Sequence, residues 1–330
     1  MLLQNSNILY VHRSILLCLH RNITKKAKLE HVGLLNQCKT DTNYETGQTF
    51  LHRVFAYRGV ILYPWTAHIY ERNRETSNKL QQHPDESRGI KQSIPKRETY
   101  YQVLVDSRDS AHISAHSEAV TFLTNSGNES QSLHTIPGID YVSHEDIIPY
   151  TSFENIPLHH ELFEKFLVRS KKQLLQATET LNTWQKKNHL CLELTNVHRE
   201  TTDNIRVTAM PFFLGVKESP NSSQPSDYWW RYCIRIENLG VTSVRLLERY
   251  WRIISNGTVK TKRGRGVVGR EPLLNSDQPA FQYSSHVSLH TATGQMWGTY
   301  RLEREDGEPF DVRIPAFSLE STLSTPESDK

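Results

Sequence analysis

The chain has 330 residues, 37% hydrophobic and 23% charged, with a formal net charge of +3 and a mean hydropathy of −0.58. That length fits two domains with polar tails better than one core, and the longest apolar run, residues 15–19, is far short of the roughly 18 to 20 residues that cross a bilayer. So mild a basic excess makes no whole-chain case for nucleic acid, and four scattered cysteines (Cys18, Cys38, Cys191, Cys233) form neither a disulfide framework nor a zinc-binding spacing, which favours a reducing compartment.

Within residues 1–40, Arg13, Arg21, Lys25, Lys26, Lys28 and Lys39 face Glu30 alone, with Leu2, Leu3, Ile8, Leu9 and Ile15 interspersed. Basic, acid-poor and apolar-dotted segments of this kind are mitochondrial presequences. Residues 1–43 are therefore expected to be a disordered targeting leader. A first domain, residues 44–156, begins at the Glu45-Thr46-Gly47-Gln48 turn and continues through short strands over 49–55 and 57–63. Tyr101, Val103 and Val105 alternate with Gln102, Leu104 and Asp106, and another strand starts at Asp140-Tyr141-Val142. Short strands separated by turns suggest a small β-barrel. Residues 72–98 contain only Leu80, Ile90 and Ile94 as packing side chains, too few to offset ordering entropy, so a mobile loop is expected there.

Residues 157–196 change character. Leu162, Phe163, Phe166, Leu167, Leu174, Leu175, Leu181 and Trp184 recur at roughly helical spacing, which predicts one or two amphipathic helices over 159–188 that set the orientation of the two β units. Strand signals return over 197–321: Ile205, Val207 and Ala209; Trp230, Tyr232, Ile234 and Ile236; Met296, Tyr300 and Leu302; Phe310, Val312 and Ile314. With segments 243–254 and 281–289, seven or eight strands result, suited to a two-sheet sandwich, followed by a polar tail over 322–330.

The motif closest to known ligand chemistry is Arg263-Gly264-Arg265-Gly266-Val267-Val268-Gly269-Arg270, which spells G-x-G-x-x-G. A dinucleotide fingerprint also needs a helix after it, whereas Glu271-Pro272 follows. Two readings stay open: glycines that serve a turn between strands, or a backbone nest for phosphate flanked by arginines. Arg245, Arg249, Arg252, Lys260, Lys262, Arg263, Arg265 and Arg270 against Glu248 make a local basic patch, a candidate for phosphate or for an acidic protein partner, the latter slightly favoured. Trp229 sits on the opposite strand face from Trp230 and is a candidate partner anchor if that face is exposed, with sheet packing as the plainer use. No catalytic grouping has suitable spacing: His286 and His290 lack a third ligand, Ser284 and Ser285 lack an elbow, and Glu303, Glu305 and Asp306 adjoin a Gly307 turn. No catalytic residue, metal or cofactor is expected.

Trp251-Arg252-Ile253, the 264–269 glycine loop, Phe281-Gln282-Tyr283-Ser284-Ser285, Gly294-Gln295-Met296-Trp297-Gly298-Thr299-Tyr300 and Ile314-Pro315-Ala316-Phe317 together resemble an ApaG domain. Tyr44 to Gln48, Tyr57-Arg58-Gly59-Val60-Ile61, Tyr100 to Asp106 and Tyr141 to Asp146 resemble a YccV-like, or hemimethylated-DNA-binding, domain. The resemblance implies a mostly β fold: a small N-terminal β-barrel and a fibronectin-like β-sandwich joined by a helical segment. The pairing of these domains in this order, behind a basic leader, implies residence in mitochondria and nucleus. It also implies a non-enzymatic adaptor for DNA polymerases, polymerase delta and primase-polymerase types, and for other replication and repair proteins, in damage tolerance and translesion synthesis. One alternative is an adaptor or regulator of a mitochondrial ATP-dependent protease; another is phosphate, nucleotide or DNA binding through the basic glycine loop. No membrane partner is implied.

Overall fold

The computed structural model describes residues 8–13, 28–74, 95–110, 113, 116–117, 119–124, 132–170, 174–218 and 226–322. The expectations for leader residues 1–7 and 14–27, loop residues 75–94 and tail residues 323–330 lie outside them. The described chain is mostly β. Residues 28–35, assigned to the leader above, form the strand Lys28–Leu35 instead, paired with Ile8–Arg13 on one side and with residues 150–152 on the other. Val32 is its anchor, buried beside Leu51 and Tyr150.

In the first domain the ladder runs Ile139–Ser143, Lys96–Val105, Arg58–Arg74, Thr49–His52 and Ile147–Ser152. Its outermost strands are consecutive in the chain, joined by the three-residue 3-10 turn His144–Asp146. Three residues span at most about 10 Å, so the sheet curls until its edges approach. Phe50, Tyr57, Ile61, Tyr101, Val103 and Val142 fill the interior. At the tight 52–57 turn, where Ala56 has φ +57°, the His52 ring Nδ1 accepts hydrogen bonds from the amides of Val54 and Phe55. The ends of loop 72–98 belong to strands, since Arg58–Arg74 and Lys96–Val105 pair out to Ile69↔Lys96.

The connecting segment contains one of the expected helices and corrects the rest of the helical span. Phe163–Phe166 is a single helical turn, Leu167–Arg169 and Leu175–Ala177 pair as a hairpin, and only Glu179–Leu192 is a full helix. Residues 167–177 carry apolar side chains that fit either period, and contact with the first domain decides between them: a β-carbon at Gly47 (φ +91°) would overlap the Leu175 carbonyl, so the hairpin lies directly on that turn. The helix starts at Thr178, whose hydroxyl accepts from the Leu181 amide. It touches both domains, through Gln185 Nε2 to Gln102 Oε1 (2.5 Å) and the Cys191 thiol to the Leu214 carbonyl (3.3 Å).

The sandwich packs Asn196–Thr202, Ile205–Lys217, Asp227–Asn238 and Ala280–Leu289 against Thr258–Arg265, Val244–Ser255, Thr293–Arg304 and Pro309–Glu320. Trp230, Tyr232, Ile234 and Ile236 meet Trp251, Ile253, Met296, Tyr300, Leu302, Val312, Ile314 and Phe317 between the sheets, as the alternation predicts. The boundary drawn at 196/197 falls on a shared strand. Asn196–Thr202 pairs in parallel with the first domain, Asn196↔His68 to Thr202↔Arg74, and antiparallel with the sandwich, His198↔Ala209 to Thr202↔Ile205. One sheet therefore runs through both domains.

Candidate functional site

Asp227–Asn238 has two faces, and its second face sets the relation between the domains. Trp229, Arg231, Cys233, Arg235 and Glu237 alternate with the sandwich-core set. This second face is covered by the first domain, and Cys233, Met210 and Phe212 join a cluster with Val60, Trp65, Leu104 and Tyr141. Arg231 is fully buried, its guanidinium 3.9 Å from the Phe212 ring centroid and its Nη1 donating to the Ala119 carbonyl at 3.0 Å.

Next to it lies a buried ionic chain. Arg235 Nη1 contacts Asp146 Oδ2 of the first domain at 2.7 Å, and its Nη2 contacts Glu237 Oε1 at 2.9 Å. Arg206 grips Glu237 through Nε and Nη2 at 2.8 and 3.1 Å, and Ser143 donates to Asp146 at 2.9 Å. Arg199 Nη2 reaches the Tyr100 hydroxyl at 2.6 Å and Glu98 at 3.2 Å, again across the junction. Burial alone would raise the Asp146 carboxyl, but Arg235, with smaller help from His52 and Ser143, overrides it and holds the group at about 2. Burial likewise opposes ionisation of Glu237, and Arg235 and Arg206 turn its net shift downward. A third bridge centres on Asp140, 1% exposed, which accepts from the Tyr57 hydroxyl (2.5 Å), the Tyr141 amide (2.7 Å) and Gln282 Nε2 of the sandwich (2.8 Å). These carboxylates are spent on arginines, hydroxyls and amides, and what the arrangement does is fix two domains as one body.

Trp229 is on this covered side: it is half-buried, and its Nε1 is buried with no hydrogen-bond partner among the described residues. His286 and His290 do not converge, His286 meeting the Thr121 hydroxyl at 3.0 Å and His290 meeting Asp227 at 2.8 Å.

The basic glycine motif ends an edge strand. Gly264 lies within Thr258–Arg265, and a β-carbon there would crowd the Arg249 guanidinium at about 3 Å. That guanidinium donates to the carbonyls of Arg265 (2.9 Å) and Gly266 (2.5 Å). The Gly266 amide donates to Leu247, and Val267 and Arg270 exchange both backbone bonds around Val268 (φ +43°) and Gly269 (φ +75°), a primed turn. Three amides of the motif are thus used to close it. Arg263 pairs with Glu248 at 2.6 Å and Arg265 pairs with Glu271, while Lys260, Lys262 and Arg270 reach solvent. A β-carbon at Gly266 (φ +56°) would overlap the Arg270 carbonyl, whereas one at Gly269 meets nothing within 4 Å. Gly266→Ala is therefore expected to cost about 1–3 kcal/mol more than Gly269→Ala in denaturant melts; equal costs would refute the turn assignment.

The junction residues Asp140, Asp146, Arg199, Arg206, Arg235 and Glu237 were missed in the sequence. The signal present was Arg231, Arg235 and Glu237 at alternate positions inside an apolar strand long enough to be central.

Comparison with known proteins agrees with this layout. The family described as hemimethylated DNA-binding protein YccV like matches residues 42–173, and the ApaG domain family matches residues 218–304. Polymerase delta-interacting protein 2 of Mus musculus and of Homo sapiens are each 56% identical over 306 residues, 91% of this chain and 82% of theirs. Protein ApaG of Sinorhizobium fredii is 44% identical over 126 residues, 38% of this chain and 94% of its own.

Proposed function

The chain belongs to the polymerase delta-interacting protein 2 family, and from that premise we propose that it is a non-catalytic adaptor that binds DNA polymerases, polymerase delta among them, and raises their synthesis past damaged bases. A protein-interaction role follows from the membership itself. The observation that supports the finer reading is the junction: with the domains tied by a shared strand and buried ion pairs, they present a fixed composite surface, as a scaffold for a large enzyme requires. Primer extension by purified polymerase delta across a template lesion is expected to rise when the full chain is added. No binding and no change in bypass at saturating protein would overturn the reading. Binding that instead follows DNA alone and falls steeply with salt would assign the basic strand to nucleic acid. The reading includes both nucleus and mitochondrial matrix as compartments, supported by the basic leader; protease protection in isolated mitochondria, with no protected pool found, would remove the second.

A further inference from the structure

The strand Thr258–Arg265 lies at one edge of the five-stranded sheet and, among the described residues, pairs only with Val244–Ser255. Seven of its eight residues are exposed. It carries no proline and no bulge, and both ends are pinned: Asn256 (φ +48°) and Gly257 (φ +70°) form a two-residue primed turn at one, and the Val267–Arg270 turn with Arg249 laid across it closes the other. The opposite edge strand, Pro309–Glu320, lies against Asn196–Thr202, and the Arg313 amide reaches the Thr202 hydroxyl.

The register says which backbone groups face outward. In a two-residue hairpin the flanking pair, here Ser255↔Thr258, is hydrogen-bonded, and hydrogen-bonded pairs recur at every second residue. Ile253↔Lys260, Trp251↔Lys262 and Arg249↔Gly264 are then the bonded pairs, consistent with the Gly266 amide donating to Leu247. Val259, Thr261 and Arg263 consequently turn their N–H and C=O groups away from the sheet. Side chains alternate likewise: Lys260 and Lys262 share one face, and Val259 and Thr261 lie on the other beside Ile254 and Arg252, whose guanidinium sits 5.2 Å from the Tyr250 ring centroid. Lys260 and Lys262 form no ion pair among the described residues.

We propose that this edge is a β-augmentation site for an extended acidic segment of a partner protein. Such a segment adds a strand by bonding to Val259, Thr261 and Arg263, sets acidic side chains at i and i+2 beside Lys260 and Lys262, and lays small apolar ones along Val259 and Thr261. Edge lysines also deter pairing between like strands. Here that repulsion selects the occupant: a second copy would set lysine against lysine, whereas an acidic strand satisfies both cations. The proposal rests on the adaptor reading and supplies its docking mode.

The test uses the full chain and three eight-residue peptides: one alternating glutamate and valine, the same peptide N-methylated along one edge, and one alternating lysine and valine. Binding is read by calorimetry. The acidic peptide is expected to bind, with at least tenfold loss on N-methylation and none detectable for the lysine peptide. Thr261→Pro, which removes an outward N–H and leaves the inner ladder intact, and the double variant Lys260→Glu with Lys262→Glu, are each expected to abolish binding with an unchanged melting temperature. Equal affinity for the methylated peptide, or no acidic-peptide binding at millimolar concentration, overturns the proposal. If Thr261→Pro loses the peptide but keeps polymerase stimulation, the edge does not serve the polymerase and the adaptor reading stands. If the wild type binds the peptide and no polymerase, the adaptor reading falls and the edge survives.

Discussion

Replacing Arg235 with alanine is expected to destabilise the folded chain by about 3–5 kcal/mol, because it leaves buried Asp146 without its arginine partner and Glu237 with Arg206 alone. The guanidinium touches both carboxylates from the two domains, Asp146 at 2.7 Å and Glu237 at 2.9 Å. Urea titration followed by both tryptophan fluorescence and circular dichroism checks the result, and a loss below about 1 kcal/mol would show that the junction is not held by this pair. The wild type is expected to unfold in one coincident transition, since the shared strand and the ion chain make each domain a part of the other's surface. The same cluster gives a pH dependence. The folded Asp146 carboxyl titrates at about 2, below its ordinary value near 3.8, so its contribution is present above pH 4 and is lost as pH falls toward 2. Arg235→Ala should flatten that part of the acid limb, and an unaltered limb would remove Asp146 as its source.

The second large effect is expected at Asp140. Alanine there removes the acceptor shared by the Tyr57 hydroxyl and the Gln282 amide, and at about 1–3 kcal/mol for each buried bond lost the total is about 2–6 kcal/mol. Tyr57→Phe keeps Asp140 bonded to Gln282 and the Tyr141 amide and is expected to cost roughly 1 kcal/mol. The comparison separates the cross-domain bridge from local packing: equal losses for the two variants would mean that the Gln282 contact contributes nothing. Burial, then the Asp140 charge, pushes the Tyr57 phenol well above its ordinary value, which favours its role as donor to Asp140.

Much of the architecture was legible in local patterns. The period-2 runs at 205–209, 230–236 and 310–314 encode strands because one sheet face must be apolar, and the ordered motifs from Trp251 to Phe317 carried the ApaG likeness. The glycine spelling was legible only as two alternatives; the backbone of Gly266, Val267 and Arg270 shows a closed turn at the end of an edge strand. The 159–188 segment misled because Leu167 and Leu175 fit a helical spacing as well as a hairpin, and the contact with Gly47, more than a hundred residues earlier, decided between them.

By itself the sequence determined which side chains share a strand face in the sandwich and which families the chain resembles. Tertiary structure alone decided what covers each face: that Arg231, Arg235 and Glu237 meet the first domain and not water, that Asn196–Thr202 joins two domains in one sheet, and that Thr258–Arg265 has one paired edge among the described residues. The reason is range. Periodicity is set by geometry repeating every two residues, whereas the partner of a face is chosen by contacts between segments as far apart as Asp146 and Arg235, and no local pattern records that choice.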